Sequence, residues 1–157
     1  MTSLHPVLNR SLWLGLGAAA LLVAGCANTP KYTSGITALS GAEEVPPVTT
    51  TASGTTDISA RPSRCPSAAS SGSCPTVHGI VNTSGITATA AHVHQGAAGQ
   101  NGPVIVTLVK TGPNSWAVPA GTTLSDAQYA AYWAGQLYVN VHSDANPGGE
   151  LRAQLKP

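Results

Sequence analysis

The chain has 157 residues, with seven Lys/Arg against six Asp/Glu and a formal net charge of +1 at pH 7. Six of the basic residues and all of the acidic ones lie beyond residue 25, so that part of the chain is electrically neutral. This balance excludes the basic surface that holds nucleic acid. Many Thr, Ser, Gly and Pro residues and no Phe favour a β-rich exported domain with a core of Val, Ile, Leu and Ala.

Residues 1–25 have the order of a secretory signal. Arg10 ends a short polar stretch, and the apolar run 12–23 is shorter than the roughly 20 residues that span a bilayer. The following Val23-Ala24-Gly25-Cys26 resembles the lipobox of bacterial lipoproteins, in which the Cys receives a diacylglycerol and becomes the first mature residue. Because Ala27 follows instead of Asp, the resemblance implies an outer-membrane lipoprotein, with residues 26–35 as lipidated Cys and tether. A non-lipidated cleaved signal is the alternative.

Two further cysteines remain once Cys26 is assigned to the lipid. Cys65 and Cys74 form an even pair in an oxidising compartment, which predicts a disulfide closing a small loop. On the chain-entropy model such a loop contributes roughly 2–3 kcal/mol to stability. Their spacing matches neither the C-x-x-C redox motif nor a zinc-ligand pattern, so we expect a structural role.

The first two thirds of the domain are predicted to be short strands and loops. Strands are predicted at 36–40, 49–58, 77–81, 86–94 and 104–109. Loops or turns are predicted at 61–75, 82–85, 95–103 and 114–121. The prolines in 45–48 place that segment at an edge or bend. The continuous apolar run 104–109 is typical of a buried strand.

A helix and two strands are predicted near the C terminus. Ser125 and Gln128 have the spacing of a capping box, and Gly135 is placed to end the helix. Segments 137–142 and 150–155 alternate apolar and polar residues, as half-buried strands do. The predicted fold class is therefore all-β: an immunoglobulin-like or superoxide-dismutase-like antiparallel sandwich or barrel with one short helix.

Four segments in a fixed order carry a family resemblance. They are LSGAEEVPPV at 39–48, AHVHQG leading to NGPV at 91–104, the predicted helix ending in Ala134-Gly135, and LYVNVH through NPGGELR at 137–152. Together they resemble the CHRD domain, a module named after chordin that also occurs in bacterial exported proteins. The resemblance implies a compact extracytoplasmic β-domain over 36–157. It implies little about activity, because the family is functionally ill-defined. The family usually continues with a plain hairpin after Val-Pro-Pro, which the Cys65–Cys74 loop interrupts here.

Three histidines form the strongest candidate site. His92 and His94 are two residues apart in a predicted strand, so both side chains leave the same face, and His142 ends another strand. Such a set suits copper or zinc. Candidates for a fourth ligand are His78, Glu43, Glu44, Glu150 and water. The alternative is that the histidines only form hydrogen bonds that hold loops at a polar sheet edge.

The string His92-Val93-His94 also resembles the H-V-H copper-ligand strand of copper/zinc superoxide dismutases. Between His94 and His142, however, there is no His and a single acid, Asp126, so the bridging His and zinc ligands of that enzyme would be missing. We therefore expect a non-enzymatic metal-binding protein in the cell envelope, with copper redox chemistry as the weaker possibility. The alternative function is a metal-free module that binds an envelope protein or a glycan.

Overall fold

The computed structural model describes residues 1–2, 35–65 and 73–157. The predicted signal, Cys26 and the tether up to residue 34 lie outside the described residues. Contacts divide the chain into the units Met1–Pro30 and Lys31–Pro157, and every element below belongs to the second. Among the described residues, no helix has both the length and the apolar character needed to cross a bilayer.

Short strands dominate the described part of the chain. They are β1 (Thr37–Leu39), β2 (Ser53–Thr56), β3 (Ser59–Arg61), β4 (Thr76–His78), β5 (Ile80–Ser84), β6 (Ala88–Gln95), β7 (Val104–Thr107), β8 (Val109–Gly112), β9 (Ser115–Ala117), β10 (Leu137–Ser143) and β11 (Leu151–Gln154). A short 3₁₀ turn at Gly41–Glu43 follows β1, and the helix α1 (Asp126–Trp133) lies between β9 and β10.

Two antiparallel sheets form the body of the domain. The first has the strand order β1-β2-β5-β9-β8, and the second has the order β11-β10-β6-β7. Strands β3 and β4 form a separate two-stranded sheet. Two backbone hydrogen bonds of 3.1 Å between Ser40 and Arg152 link β1 to β11, where the larger sheets meet. The predicted all-β sandwich with one short helix is confirmed, and none of the described sheets closes into a barrel.

The core lies between the inner faces of the two sheets. Val81 and Trp116 come from the first sheet and Val93, Val139 and Leu151 from the second, and each is at most 5 % exposed. Burial of such apolar side chains, at about 25 cal/mol per Å², is the main stabilising contribution. Because strand side chains alternate between faces, the residues between these core positions leave the second sheet on its other face.

Four predictions about strands and loops were wrong. The turn expected at 82–85 is mostly strand, because β5 extends over Ile80–Ser84. The strand expected at 77–81 is divided between β4 and β5, because Gly79 between them has φ +130°, a conformation that L side chains rarely adopt. The run 104–109 is divided at Leu108 into two edge strands of different sheets. Val104 and Val109 are 48 % and 53 % exposed, so this run is not a buried strand. Trp116 was expected in a loop but lies on β9.

Two other local predictions are confirmed. The hydroxyl of Ser125 accepts a hydrogen bond from the backbone N–H of Gln128, whose side chain accepts one from the backbone of Ser125. This capping box begins α1, and Gly135 follows the helix with φ +66°. Cys65 and Cys74 form a disulfide with a Cα–Cα distance of 4.8 Å.

Candidate metal centre

The outer face of the second sheet is polar but covered. Its side chains come from β6, β10 and β11 and are His92, His94, Tyr138, Asn140, His142, Arg152 and Gln154. We call this set the polar face. Segments 41–47, 96–103 and 143–149 supply hydrogen-bond partners above it. Arg152 is only 1 % exposed and Asn140 only 3 %, so the charges and dipoles here act in an environment with little water.

Strand register brings the three histidines together at this face. On β10, Tyr138 lies opposite His94 and Asn140 opposite His92, while His142 lies opposite Ala90. One ligand nitrogen from each histidine falls within 4.8 Å of the others, and His92 Nδ1 lies 2.9 Å from His142 Nε2. Two nitrogens on one tetrahedral zinc or copper ion are about 3.4 Å apart, since each bond is about 2.0–2.1 Å. To share an ion, the most separated nitrogens would have to approach by about 1.4 Å, whereas those of His92 and His142 would have to move apart by about 0.5 Å.

Backbone carbonyls select the tautomers of two of these rings. His94 Nδ1 donates to the carbonyl oxygen of Gly102 at 2.9 Å, and His142 Nδ1 donates to that of Pro147 at 3.0 Å. In the neutral rings, each Nε2 then carries a lone pair. His142 Nε2 accepts from His92 Nδ1, whereas the buried His94 Nε2 has no hydrogen-bond partner. A carbonyl on the far nitrogen is the usual partner of a metal-binding imidazole.

The environment keeps these imidazoles neutral. Burial lowers the pKa of His92 below the usual 6.5, and the adjacent His142 and His94 lower it further. Burial is also the main cause of the lowered pKa of His94 and of His142. Near neutral pH the three rings are therefore unprotonated at one nitrogen each, which is the form that binds a metal ion.

Gly102 connects His94 to Tyr138. Its carbonyl accepts from His94, and its N–H donates to Tyr138 Oη at 3.1 Å. A Cβ at this position would collide with the backbone of Gln95, so only glycine allows the loop to approach the sheet this closely. This role is not visible in the sequence, because the motif that contains Gly102 indicates a loop but not which strand the loop contacts.

In the described part of the chain, none of the residues predicted as a fourth ligand belongs to the three-histidine group. His78 Nε2 contacts Ser59 Oγ at 3.2 Å on the two-stranded sheet. The buried carboxylate of Glu150 accepts from the hydroxyls of Ser143 and Thr50, which lower its pKa. The group of potential ligands found in the described part of the chain contains only the three histidines. Glu43 is exposed.

Glu44 is a buried acid beside this centre. It is 5 % exposed and accepts a hydrogen bond of 3.1 Å from Asn140 Nδ2. Burial raises its pKa to about 7, although the charge of Arg152 and the Asn140 hydrogen bond oppose that shift. Glu44 Oε1 and Asn140 Oδ1 are both buried acceptors without a partner. Protonated Glu44 would supply the donor that this pair lacks.

Comparison with known proteins assigns most of the chain to one family. Residues 36–155 match the family model described as the CHRD domain, and this range contains every strand and helix given above. No curated protein and no solved structure matches the chain.

Proposed function

Because the chain belongs to the CHRD domain family, whose members are secreted or extracellular domains, we propose that it binds copper or zinc outside the cytoplasm through His92, His94 and His142. The observation that carries the proposal is the buried, unpartnered Nε2 of His94, in a ring of which one nitrogen lies within 4.8 Å of a nitrogen of His92 and of His142. A buried polar atom without a partner destabilises the fold by about 1–3 kcal/mol. A bound ion would remove that cost.

The proton between His92 and His142 must move when an ion binds. His142 Nε2 accepts this proton because its own Nδ1–H is held by Pro147. If His92 transfers its proton to its other ring nitrogen through solvent, both lone pairs become free without a change in net charge. His92 and His142 are half-buried, so solvent can reach them. Copper is favoured over zinc at equal ligation by the general order of affinities.

We further propose that the domain is held in the cell envelope through a lipid on Cys26, at the outer membrane, and that it captures metal without catalysing a reaction. The string Val23-Ala24-Gly25-Cys26 supports the anchor. Among the described residues, the group of potential ligands consists of histidines, which supports capture. Incorporation of labelled palmitate into the wild type, and its loss in Cys26→Ser, would support the anchor. Equal labelling of both proteins would contradict it.

One observation favours the metal-free alternative. His92 and His142 already satisfy each other through a hydrogen bond of 2.9 Å, as they would if their role were to hold the loop that contains Pro147. A domain of that kind would bind a protein or glycan partner without any ion. It does not account for the unpartnered nitrogen of His94.

Metal titration separates the two functions. The full chain, purified in detergent and freed of metal with a chelator, is titrated with Cu(II) and with Zn(II). We expect one ion per chain with submicromolar affinity, reduced at least a hundredfold by His94→Ala or His142→Ala. His78→Ala is the matched control, because this exposed histidine lies outside the group and should leave the affinity unchanged. Micromolar or weaker binding that neither substitution alters would support the metal-free alternative.

A further inference from the structure

Arg152, Tyr138 and His94 form a continuous stack across the second sheet. The guanidinium carbon of Arg152 lies 3.5 Å from the centroid of the Tyr138 ring. The imidazole of His94 is stacked on the same ring, with centroids 4.9 Å apart and planes inclined by only 12°. Because β11 and β6 flank β10 on opposite sides, the cation and the imidazole approach Tyr138 from opposite sides.

The cation in this stack is buried among neutral acceptors. Arg152 donates to the carbonyl oxygens of Ala97 and Gln100 at 3.2 and 2.8 Å, and to Asn101 Oδ1 at 3.3 Å. All three oxygens are uncharged. The carboxyl group that interacts with Arg152 is that of Glu44, and because burial raises its pKa to about 7, it compensates the guanidinium charge only in part near neutral pH. A buried arginine usually has a fully ionised partner. Here part of the positive charge of Arg152 remains uncompensated close to the histidine site.

The Tyr138 ring lies between this charge and the proposed ligand His94. Its centroid is 3.5 Å from the guanidinium carbon and 4.9 Å from the centroid of the imidazole. The three imidazole ligands are neutral, so the bound ion would keep its full charge. Arg152 therefore repels a doubly charged ion more strongly than a singly charged one. The poorly hydrated surroundings screen this repulsion only weakly.

We propose that Arg152 is a specificity-determining residue that biases the three-histidine site towards Cu(I) over Cu(II). This inference rests on the proposed function and adds the oxidation state of the ion. Across roughly 10 Å, at an effective dielectric constant of about 20, one unit of charge changes an equilibrium about tenfold. Arg152 should therefore raise the ratio of Cu(I) to Cu(II) affinity about tenfold, which corresponds to about 59 mV in the reduction potential of a one-electron couple.

The test measures both affinities in the full chain. Cu(I) is titrated anaerobically against a chromophoric Cu(I) chelator with ascorbate present, and Cu(II) is titrated against glycine. Arg152→Gln should lower the Cu(I)/Cu(II) affinity ratio about tenfold relative to the wild type, whereas Arg152→Lys, which keeps the charge, should change it less than threefold. Equal ratios in all three proteins would overturn the inference.

A second variant covers the case in which Arg152→Gln does not fold. Asn101 is exposed and accepts from Arg152, so Asn101→Asp places a carboxylate on the guanidinium with almost no change of shape. It should lower the ratio in the same direction, and by more than Gln100→Glu, which adds the same charge on the same exposed loop but not on the side-chain oxygen that Arg152 contacts. Identical ratios in the two loop variants would contradict the role of Arg152. A wild type that binds copper with no Arg152 dependence overturns only this inference, whereas a wild type that binds no copper overturns the proposed function as well.

Discussion

Replacing Glu44 by Gln should change how the stability of the domain depends on pH. The carboxyl group is 5 % exposed and its pKa is raised from 4.5 to about 7 by burial. In the folded state Glu44 keeps a proton that the unfolded chain has already released between these two values. The stability that this proton contributes is fully present below pH 4.5 and is lost as the pH rises through about 7. The introduced amide cannot titrate, so the variant lacks this dependence.

The magnitude follows from the two pKa values. One unit of pKa shift is 1.36 kcal/mol, and integration from pH 5 to pH 8 gives about 2.5 kcal/mol. The amide can donate to Asn140 Oδ1 and accept from Asn140 Nδ2, so it satisfies the pair that the carboxylate leaves incomplete. We expect the free energy of unfolding of Glu44→Gln minus that of the wild type to be about 2.5 kcal/mol larger at pH 8 than at pH 5.

Urea unfolding of the metal-free protein at the two pH values, followed by tryptophan fluorescence, measures this difference. Comparison between proteins at each pH cancels the titration of the histidines that both share. Glu43→Gln is the matched control, because it removes the same charge from an exposed neighbour. A difference between Glu44→Gln and the wild type that stays constant within about 0.5 kcal/mol would refute the reasoning that Glu44 is protonated in the fold.

Two further predictions concern stability at a single pH. Replacing Cys65 and Cys74 by Ser should lower the free energy of unfolding by about 2–3 kcal/mol, and reduction of the wild type should have the same effect. Equal urea midpoints with and without reductant would contradict a stabilising disulfide. Ser125→Ala should cost about 1 kcal/mol through loss of the capping box, and Ser84→Ala, an exposed strand position, should cost less than half of that. If both serine variants have the same melting temperature, the cap does not stabilise the domain.

The sequence by itself determined the features that depend on local spacing. Alternation over 137–142 and 150–155 predicted β10 and β11, because a half-buried strand needs period two. Ser125 and Gln128 predicted the start of the helix, because their side chains satisfy donors within a single turn. The same rule of alternation placed His92 and His94 on one face.

Only the tertiary structure decided which distant residues meet. The pairing of β6 with β10 brings His142 to His92 across 50 residues of sequence, and no local pattern specifies that pairing. The splits at Gly79 and Leu108 are also decided by tertiary structure, because in each case the strands on either side of the split pair within different sheets. The sequence also does not predict that loops bury the polar face, since alternation of apolar and polar residues is typical of a strand whose polar side is exposed to solvent.

The contrast between local sequence pattern and tertiary contact is largest at the covered polar face. From its position in β11, Arg152 would be an exposed charge on the polar side of a strand. The loop 96–103 instead buries it against Tyr138, whose other neighbour is His94. Local spacing therefore identified the three candidate histidines. The burial of Arg152 and of Glu44 arises only when loops and strands distant in sequence close over the sheet.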